Sequence, residues 1–137
     1  MSSTTLGPTK LVVDDLEKVA AFYCEAYGFE QTGRIQADIG GEPIDEIFLS
    51  TAGAAGPGLI LMKWVGRPAP TNGEVLLVFM TDDVDALAAR VQAAGGAVQL
   101  APYRSEATPY RAAFTTDPEG HLIENVEIPA DGDAAND

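Results

Sequence analysis

The sequence has one cysteine, one histidine and few basic residues. Because Cys24 is the only cysteine among 137 residues, no disulfide can form within the chain, which is typical of a reducing compartment. Eight lysines and arginines against 21 acidic residues give a net charge of −13, which argues against binding to a phosphate backbone. No apolar run approaches the roughly 20 residues of a membrane span, and the opening MSSTTLGPTK lacks the pattern of a secretory signal. We therefore expect a cytoplasmic protein without nucleic-acid or membrane partners.

What the sequence does contain is a repeated segment. The stretch DDLEKVAAFYCEAYGFE begins at Asp14. A similar stretch, DDVDALAARVQAAGGAV, begins 68 residues later at Asp82. Both copies open with two aspartates, and Gly28 and Gly96 fall at the same position in them. We interpret the chain as two copies of one unit.

Each copy has the pattern of a strand, a helix and three further strands. Asp14 or Asp15 is predicted to cap the first helix, with Glu17 as the capping-box partner of Asp14, and Gly28 is predicted to end that helix. The second helix is predicted over residues 83–94. The predicted strands cover residues 6–13, 29–37, 46–51, 58–64, 74–81, 97–103, 110–115 and 121–128.

These elements predict one α+β domain over residues 1–128, built from two βαβββ modules. The modules cover residues 6–65 and 74–128, and the Pro- and Gly-rich segment 66–73 links them. A four-stranded sheet covered by one helix leaves its other face bare, so the two modules are expected to form a cup-shaped sheet with the helices outside. The acidic tail, residues 129–137, is expected to be disordered.

Two motifs in this sequence resemble the vicinal oxygen chelate superfamily. They are the D-x-x-x-x-x-x-FY-x-x-x-x-GF pattern from Asp15 to Phe29 and the D-P-x-G-H-x-I-E run from Asp117 to Glu124. That superfamily includes glyoxalase I, extradiol dioxygenases and bleomycin-binding proteins. The resemblance implies the cup-shaped fold and a homodimer. In catalytic members it also implies a divalent metal held by four side chains, one from the first and one from the last strand of each module.

The first-strand metal positions are unsuited to binding in this chain. By resemblance they lie seven residues before the aspartate that opens each helix. Counting back from Asp15 and Asp83 gives Pro8 and Leu76. Neither side chain offers an oxygen, nitrogen or sulfur ligand.

The last-strand positions retain one ligand. Aligning HLIENVE with GLILMKW places Glu124 at one position and Leu61 at the other. We therefore expect no cofactor. The alternative is a divalent ion (Ni, Zn, Mn or Fe) held by Glu124 with help from Glu74 and His121, although a lone histidine beside a turn is more often structural.

Strand alternation predicts an apolar cup wall around Glu124. Glu124 is a candidate general base, or else a relic carboxylate paired with Lys10 or Lys63. Asn125 points to the helix layer and needs a buried partner. Alternation adds Lys10, Leu61, Lys63, Leu76 and Met80 as residues expected to contact a ligand, and the loop that they flank adds Tyr103 and Tyr110. The resemblance implies Arg111 as a further contact.

The sequence leaves three functions open. The favoured one is a metal-independent protein that binds a small apolar molecule, either without changing it or with chemical conversion of it. The second is a metal-dependent lyase, isomerase or dioxygenase that resembles glyoxalase I. The third is a drug-sequestering protein that resembles bleomycin-resistance proteins, for which an acidic surface would attract a cationic drug.

Overall fold

The computed structural model describes residues 3–70, 73, 75–104 and 106–128. The predicted disordered tail 129–137 and the candidate ligand Glu74 lie outside the described residues. Within them, no helix is long and apolar enough to cross a membrane. In chain order the elements are β1 (Thr9–Val12), α1 (Leu16–Tyr27), β2 (Phe29–Ile39), β3 (Glu42–Thr51), β4 (Leu59–Trp64), β5 (Leu77–Thr81), α2 (Val84–Ala93), β6 (Ala97–Arg104), β7 (Arg111–Thr116) and β8 (Leu122–Glu127).

The two halves of the chain build the same kind of sheet. The strand orders are β1-β4-β3-β2 and β5-β8-β7-β6. In each sheet the first and last strands of the module pair in parallel, and the other neighbours are antiparallel. The α+β fold with two βαβββ modules is therefore confirmed.

The described residues form two compact units. The first unit contains the residues up to Cys24 and those from Gly28 to Pro70. The second contains Glu25–Tyr27 and the residues after Pro70. The last residues of α1 thus belong to the second unit rather than to the first.

Asp15 is the N-cap of α1, and its Oδ1 accepts a hydrogen bond from the Lys18 amide at 3.1 Å. The prediction of a capping box with Glu17 is wrong, because Lys18 occupies the position of the capping-box glutamate. Glu17 instead accepts a hydrogen bond from Arg34 Nη1 at 2.7 Å. Asp14 accepts a hydrogen bond from the amide of Ala69 at 2.6 Å, so the two aspartates have different tasks.

Gly28 ends α1 as predicted. Its φ of 74° is in the left-handed region that favours glycine. Its amide donates to the carbonyl of Cys24 at 3.1 Å. The chain can therefore turn directly into β2.

The register assigns each strand residue to one of two sheet faces. In the first unit Leu11, Ile47 and Leu61 are in one row. That row is on the helix face, because Arg34 pairs with Ile47 across the strands while its side chain reaches Glu17 on α1. The neighbouring row is on the opposite face and contains Lys10, Ile60 and Phe48.

The second sheet has the same division. Asn125 and its strand neighbours Phe79 and Ala113 are on the helix face. Glu124 is on the opposite face between Val78 and Phe114. Burial follows this pattern, since Ile123, Asn125 and Ala113 are buried while Val78 and Met80 are exposed.

Candidate functional site

A cavity of about 310 Å³ opens on the opposite face of the second sheet. It contains three residues predicted from the sequence, Tyr103, Tyr110 and Glu124. The rest of its lining consists of Thr108, Ala112, Phe114 and Val126. We call it the Glu124 cavity. Its volume is at the lower end of the range of small-molecule sites, roughly 300–1,000 Å³.

The Glu124 carboxylate is the one acidic group of this lining. Its strand neighbours are the side chains of Val78 and Phe114. Within the part of the chain that the structure describes, no hydrogen bond or ion pair joins Glu124 to another residue. The carboxylate is therefore available to a ligand.

A larger cavity of about 710 Å³ adjoins the first through Phe114, which lines both. Its other lining residues are Gln99, Leu100, Thr116, Gly120 and Leu122. Together the two cavities follow β6, β7 and β8 along one sheet face. Phe114 was not singled out from the sequence, because alternation puts it on the same face as Ala112 but does not show that this is the face of Glu124.

Two predicted wall residues, Leu61 and Lys63, are on the wrong face. Lys10 pairs with Ile60, so Leu61 and Lys63 are on the helix face of the first sheet. There Leu61 is fully buried and Lys63 Nζ donates to the carbonyl of Asp14 at 2.8 Å. The alignment was one residue out of register, and because side chains alternate, such a slip transfers a whole strand to the other face.

The same correction changes the counterpart of Glu124. Lys10 and Val78 are equivalent positions, because each precedes the N-cap aspartate of its unit by the same number of residues. Lys10 pairs with Ile60, and Val78 pairs with Glu124. The counterpart of Glu124 is therefore Ile60, not Leu61. Since isoleucine also lacks a donor atom, the residue types at the four positions still do not fit the divalent metal of the catalytic relatives. The loss of that metal site stays a prediction.

The remaining apolar candidates, Leu76 and Met80, are outside the lining of the Glu124 cavity. Met80 is the strand neighbour of the lining residue Val126 and is exposed. Leu76 precedes β5 and is exposed as well. Met80 thus borders the cavity, whereas Leu76 has only its exposure in favour of a binding role.

Lys10 belongs to a charge pair that the sequence did not reveal. Its Nζ is 2.6 Å from Oε2 of Glu46, whose side chain is only 4% exposed. Among the described residues Oε2 has no donor in hydrogen-bond geometry, so this contact is charge pairing rather than a directed hydrogen bond. The segment IDEIFLS has adjacent acidic residues, Asp45 and Glu46, and alternation alone could not tell which of them is buried.

Arg111 is directed toward α2 rather than toward the Glu124 cavity. Its Nη1 donates to Asp85 at 2.7 Å, and Glu127 is 3.7 Å away. The hydrogen bonds from Arg111 hold the pKa of Asp85 below its ordinary value.

Three carboxylates around this arginine, from Asp83, Asp85 and Glu127, are close enough together to hold a cation. Each already has a partner, however. Asp83 accepts from the Ala86 amide, Glu127 accepts from the Val84 amide, and Asp85 binds Arg111. The cluster thus caps the N-terminus of α2.

His121 has a structural partner. Its Nδ1 is 2.8 Å from Oδ2 of Asp117, whose Oδ1 accepts hydrogen bonds from the amides of Glu119 and His121. With Gly120 at a φ of 87°, these contacts close the β7–β8 turn. The geometry agrees with the structural role expected for a histidine beside a turn.

Asn125 has the buried partner that its sequence position required. Its Oδ1 accepts from the Tyr27 hydroxyl at 2.7 Å, and its Nδ2 donates to the Ala113 carbonyl and to Thr115 Oγ1. Burial raises the pKa of Tyr27 to about 12. The Tyr27 ring also stacks on Phe79 at a centroid distance of 4.0 Å.

Comparison with protein families gives one match that spans most of the chain. The model of the Glyoxalase/Bleomycin resistance protein/Dioxygenase superfamily matches residues 5–125. No curated protein matches the sequence.

Solved structures share the fold. Glyoxalase I from Zea mays superposes with a TM-score of 0.71 at 23% identity, covering 88% of this chain and 43% of that one. A glyoxalase family protein from Bacillus cereus gives a TM-score of 0.74 at 19% identity, with 93% and 97% covered. A glyoxalase-related enzyme from Fulvimarina pelagi gives 0.67 at 24% identity, with 95% and 96% covered. The chain thus spans less than half the length of the Zea mays enzyme.

Proposed function

Because this chain belongs to the Glyoxalase/Bleomycin resistance protein/Dioxygenase superfamily, we propose that it binds a small, largely apolar molecule in the Glu124 cavity without a bound metal ion. One observation carries the proposal: Tyr103, Tyr110 and Glu124 meet in one cavity together with Phe114 and Val126. An apolar wall with a single charged group is the usual composition of a small-molecule site, in which the apolar surface supplies affinity and the polar group fixes orientation.

The lining also defines what chemistry the site could perform. Glu124 is a carboxylate without an internal partner among the described residues, so a ligand with an acidic C–H or O–H placed beside it would meet a general base. No metal is needed for such a proton transfer. Membership of the superfamily also supports the expectation of a cytoplasmic homodimer.

A cavity-filling substitution tests the proposal. The probe is prodan, a neutral naphthalene fluorophore whose emission shifts when it leaves water. Ala112 lines the cavity, so Ala112→Leu should occupy part of its volume and weaken prodan binding by about tenfold, roughly 1.4 kcal/mol. Fluorescence titration of purified protein measures both dissociation constants.

Ala89→Leu is the matched control, because Ala89 is on the exposed surface of α2. It adds the same atoms to the protein without entering the cavity. Prodan affinity should be unchanged in this variant. Absence of prodan binding to the unmodified protein, or equal affinity in the Ala112→Leu and unmodified proteins, would overturn the proposal.

A further inference from the structure

The Glu124 cavity combines a carboxylate with aromatic rings. Tyr103, Tyr110 and Phe114 line it together with Glu124. Aromatic faces carry negative electrostatic potential and attract cations, and an organic ammonium group enclosed by such rings is a recurring binding mode. A carboxylate in the same cavity adds direct charge pairing.

No basic side chain of the second unit neutralises Glu124. The sequence after Pro70 contains no lysine and three arginines, Arg90, Arg104 and Arg111. Arg90 donates to the carbonyl of Ala26, and Arg104 donates to the carbonyl of Pro109. Arg111 is paired with Asp85. Within the described residues, none of the three arginines forms an ion pair with Glu124, and His121 is paired with Asp117.

The surroundings make an anionic ligand unfavourable at this place. An anion would meet the Glu124 carboxylate in a protein of net charge −13, and like charges at close range repel. A neutral apolar ligand would use the rings and leave the carboxylate without a partner. A cation uses both.

We propose that the ligand of the Glu124 cavity is a small organic cation, an amine or quaternary ammonium compound with an apolar body. Glu124 pairs with the positive nitrogen, and Tyr103, Tyr110 and Phe114 surround the groups attached to it. This inference rests on the proposed function and adds the charge of the ligand to it.

The test compares two compounds that differ in charge alone. Choline and 3,3-dimethylbutan-1-ol have the same shape, with a quaternary nitrogen in the first and a carbon in the second. Each is titrated against the full chain with bound prodan, and displacement of the fluorophore gives the affinity. We expect choline to bind about tenfold more tightly, from charge pairing and cation–π attraction together.

Two glutamate variants separate local from global charge. Glu124→Gln keeps the size of the side chain and should reduce the preference for choline, because only the cation–π attraction of the rings is left. Glu30→Gln removes the same charge from an exposed position on β2 in the first unit, and the preference should persist. A preference that is undiminished in Glu124→Gln, or that Glu30→Gln reduces equally, would show that the Glu124 carboxylate does not supply it and contradict the inference.

The two proposals fail in different ways. If prodan binds and both compounds displace it equally, the cation inference is wrong and the apolar site stands. If prodan does not bind the unmodified protein, the site itself is wrong, and the inference fails with it.

Discussion

Glu46 is a buried carboxylate, and among the described residues its ion-pair partner is Lys10. Its residue is 3% exposed, and Lys10 Nζ is 2.6 Å from its Oε2. Removing one partner of such a pair leaves an uncompensated charge in the interior, which costs more than the pair itself contributes. The lysine side chain is 45% exposed, so water screens part of this cost.

Lys10→Met is therefore expected to destabilise the protein by about 1 to 3 kcal/mol at pH 7. Adding Glu46→Leu to this variant should recover most of the loss, because the unpaired charge is then gone. Urea unfolding followed by circular dichroism measures the three free energies of unfolding.

Lys63→Met is the control for this prediction. Lys63 donates to a backbone carbonyl near the start of α1, and its loss should cost less than about 1 kcal/mol. Equal losses for the two lysine variants, or a double variant no more stable than Lys10→Met, would show that the charge pair is not what matters.

At the scale of elements, helix α1 is divided between the two units. Its start is tied to the first unit by the contact between Glu17 and Arg34. Its last residue, Tyr27, hydrogen-bonds Asn125 and stacks on Phe79 in the second. The Tyr27 hydroxyl thus supplies the donor for Oδ1 of the buried Asn125 amide.

Tyr27→Phe is expected to cost about 1 to 2 kcal/mol at pH 7, because Asn125 Oδ1 loses its donor. The cost should shrink at alkaline pH. Burial raises the pKa of Tyr27 to about 12, whereas an unfolded tyrosine titrates near about 10. The contribution of the neutral phenol is therefore complete below about pH 10 and lost as the pH rises through about 12.

Denaturant unfolding at several pH values between 7 and about 11.5 measures this convergence. Asn125→Leu is the informative comparison, since it breaks the same hydrogen bond but keeps the buried phenol. It should lose stability at neutral pH and still show the alkaline loss. Parallel stability curves for the unmodified protein and Tyr27→Phe would contradict the assignment.

At the scale of the whole molecule, the two units share a topology but differ in side chains at matched positions. Glu124 in the second unit corresponds to Ile60 in the first, and Val78 corresponds to Lys10. A second matched pair also differs. Met62 pairs with Glu46 in the first unit, whereas Val126 pairs with Ala112 in the second. The small side chain of Ala112 leaves room for the Glu124 cavity, whereas Glu46 fills the matching place in the first unit with a charge.

These differences predict the metal content of the protein. After incubation with Ni²⁺, Zn²⁺, Mn²⁺ or Fe²⁺ and dialysis, elemental analysis should find well below one ion per chain, because three of the four matched positions lack a donor atom. A near-stoichiometric ion that is lost in Glu124→Ala would favour the metal-dependent lyase, isomerase or dioxygenase instead.

The sequence by itself determined the repeat, the element order and the α+β class. The double aspartates and Gly28 are local signals whose effect extends over one helical turn, so they can be interpreted without knowing the partners. Glu124 was proposed from the resemblance to the superfamily, and Tyr103 and Tyr110 from their position beside a loop. Their part in binding stays a prediction.

Tertiary structure alone decided the strand register, the contact of Glu17 with Arg34 in place of a capping box, and the partners of Lys10 and Arg111. Register depends on pairing between distant strands. An error of one residue in the alignment therefore put both Leu61 and Lys63 on the wrong face of the sheet. Lys10 and Glu46 are on different strands, β1 and β3, so only packing brings their charges together. Local sequence could not reveal which long side chains meet, because that depends on contacts between residues far apart in the chain.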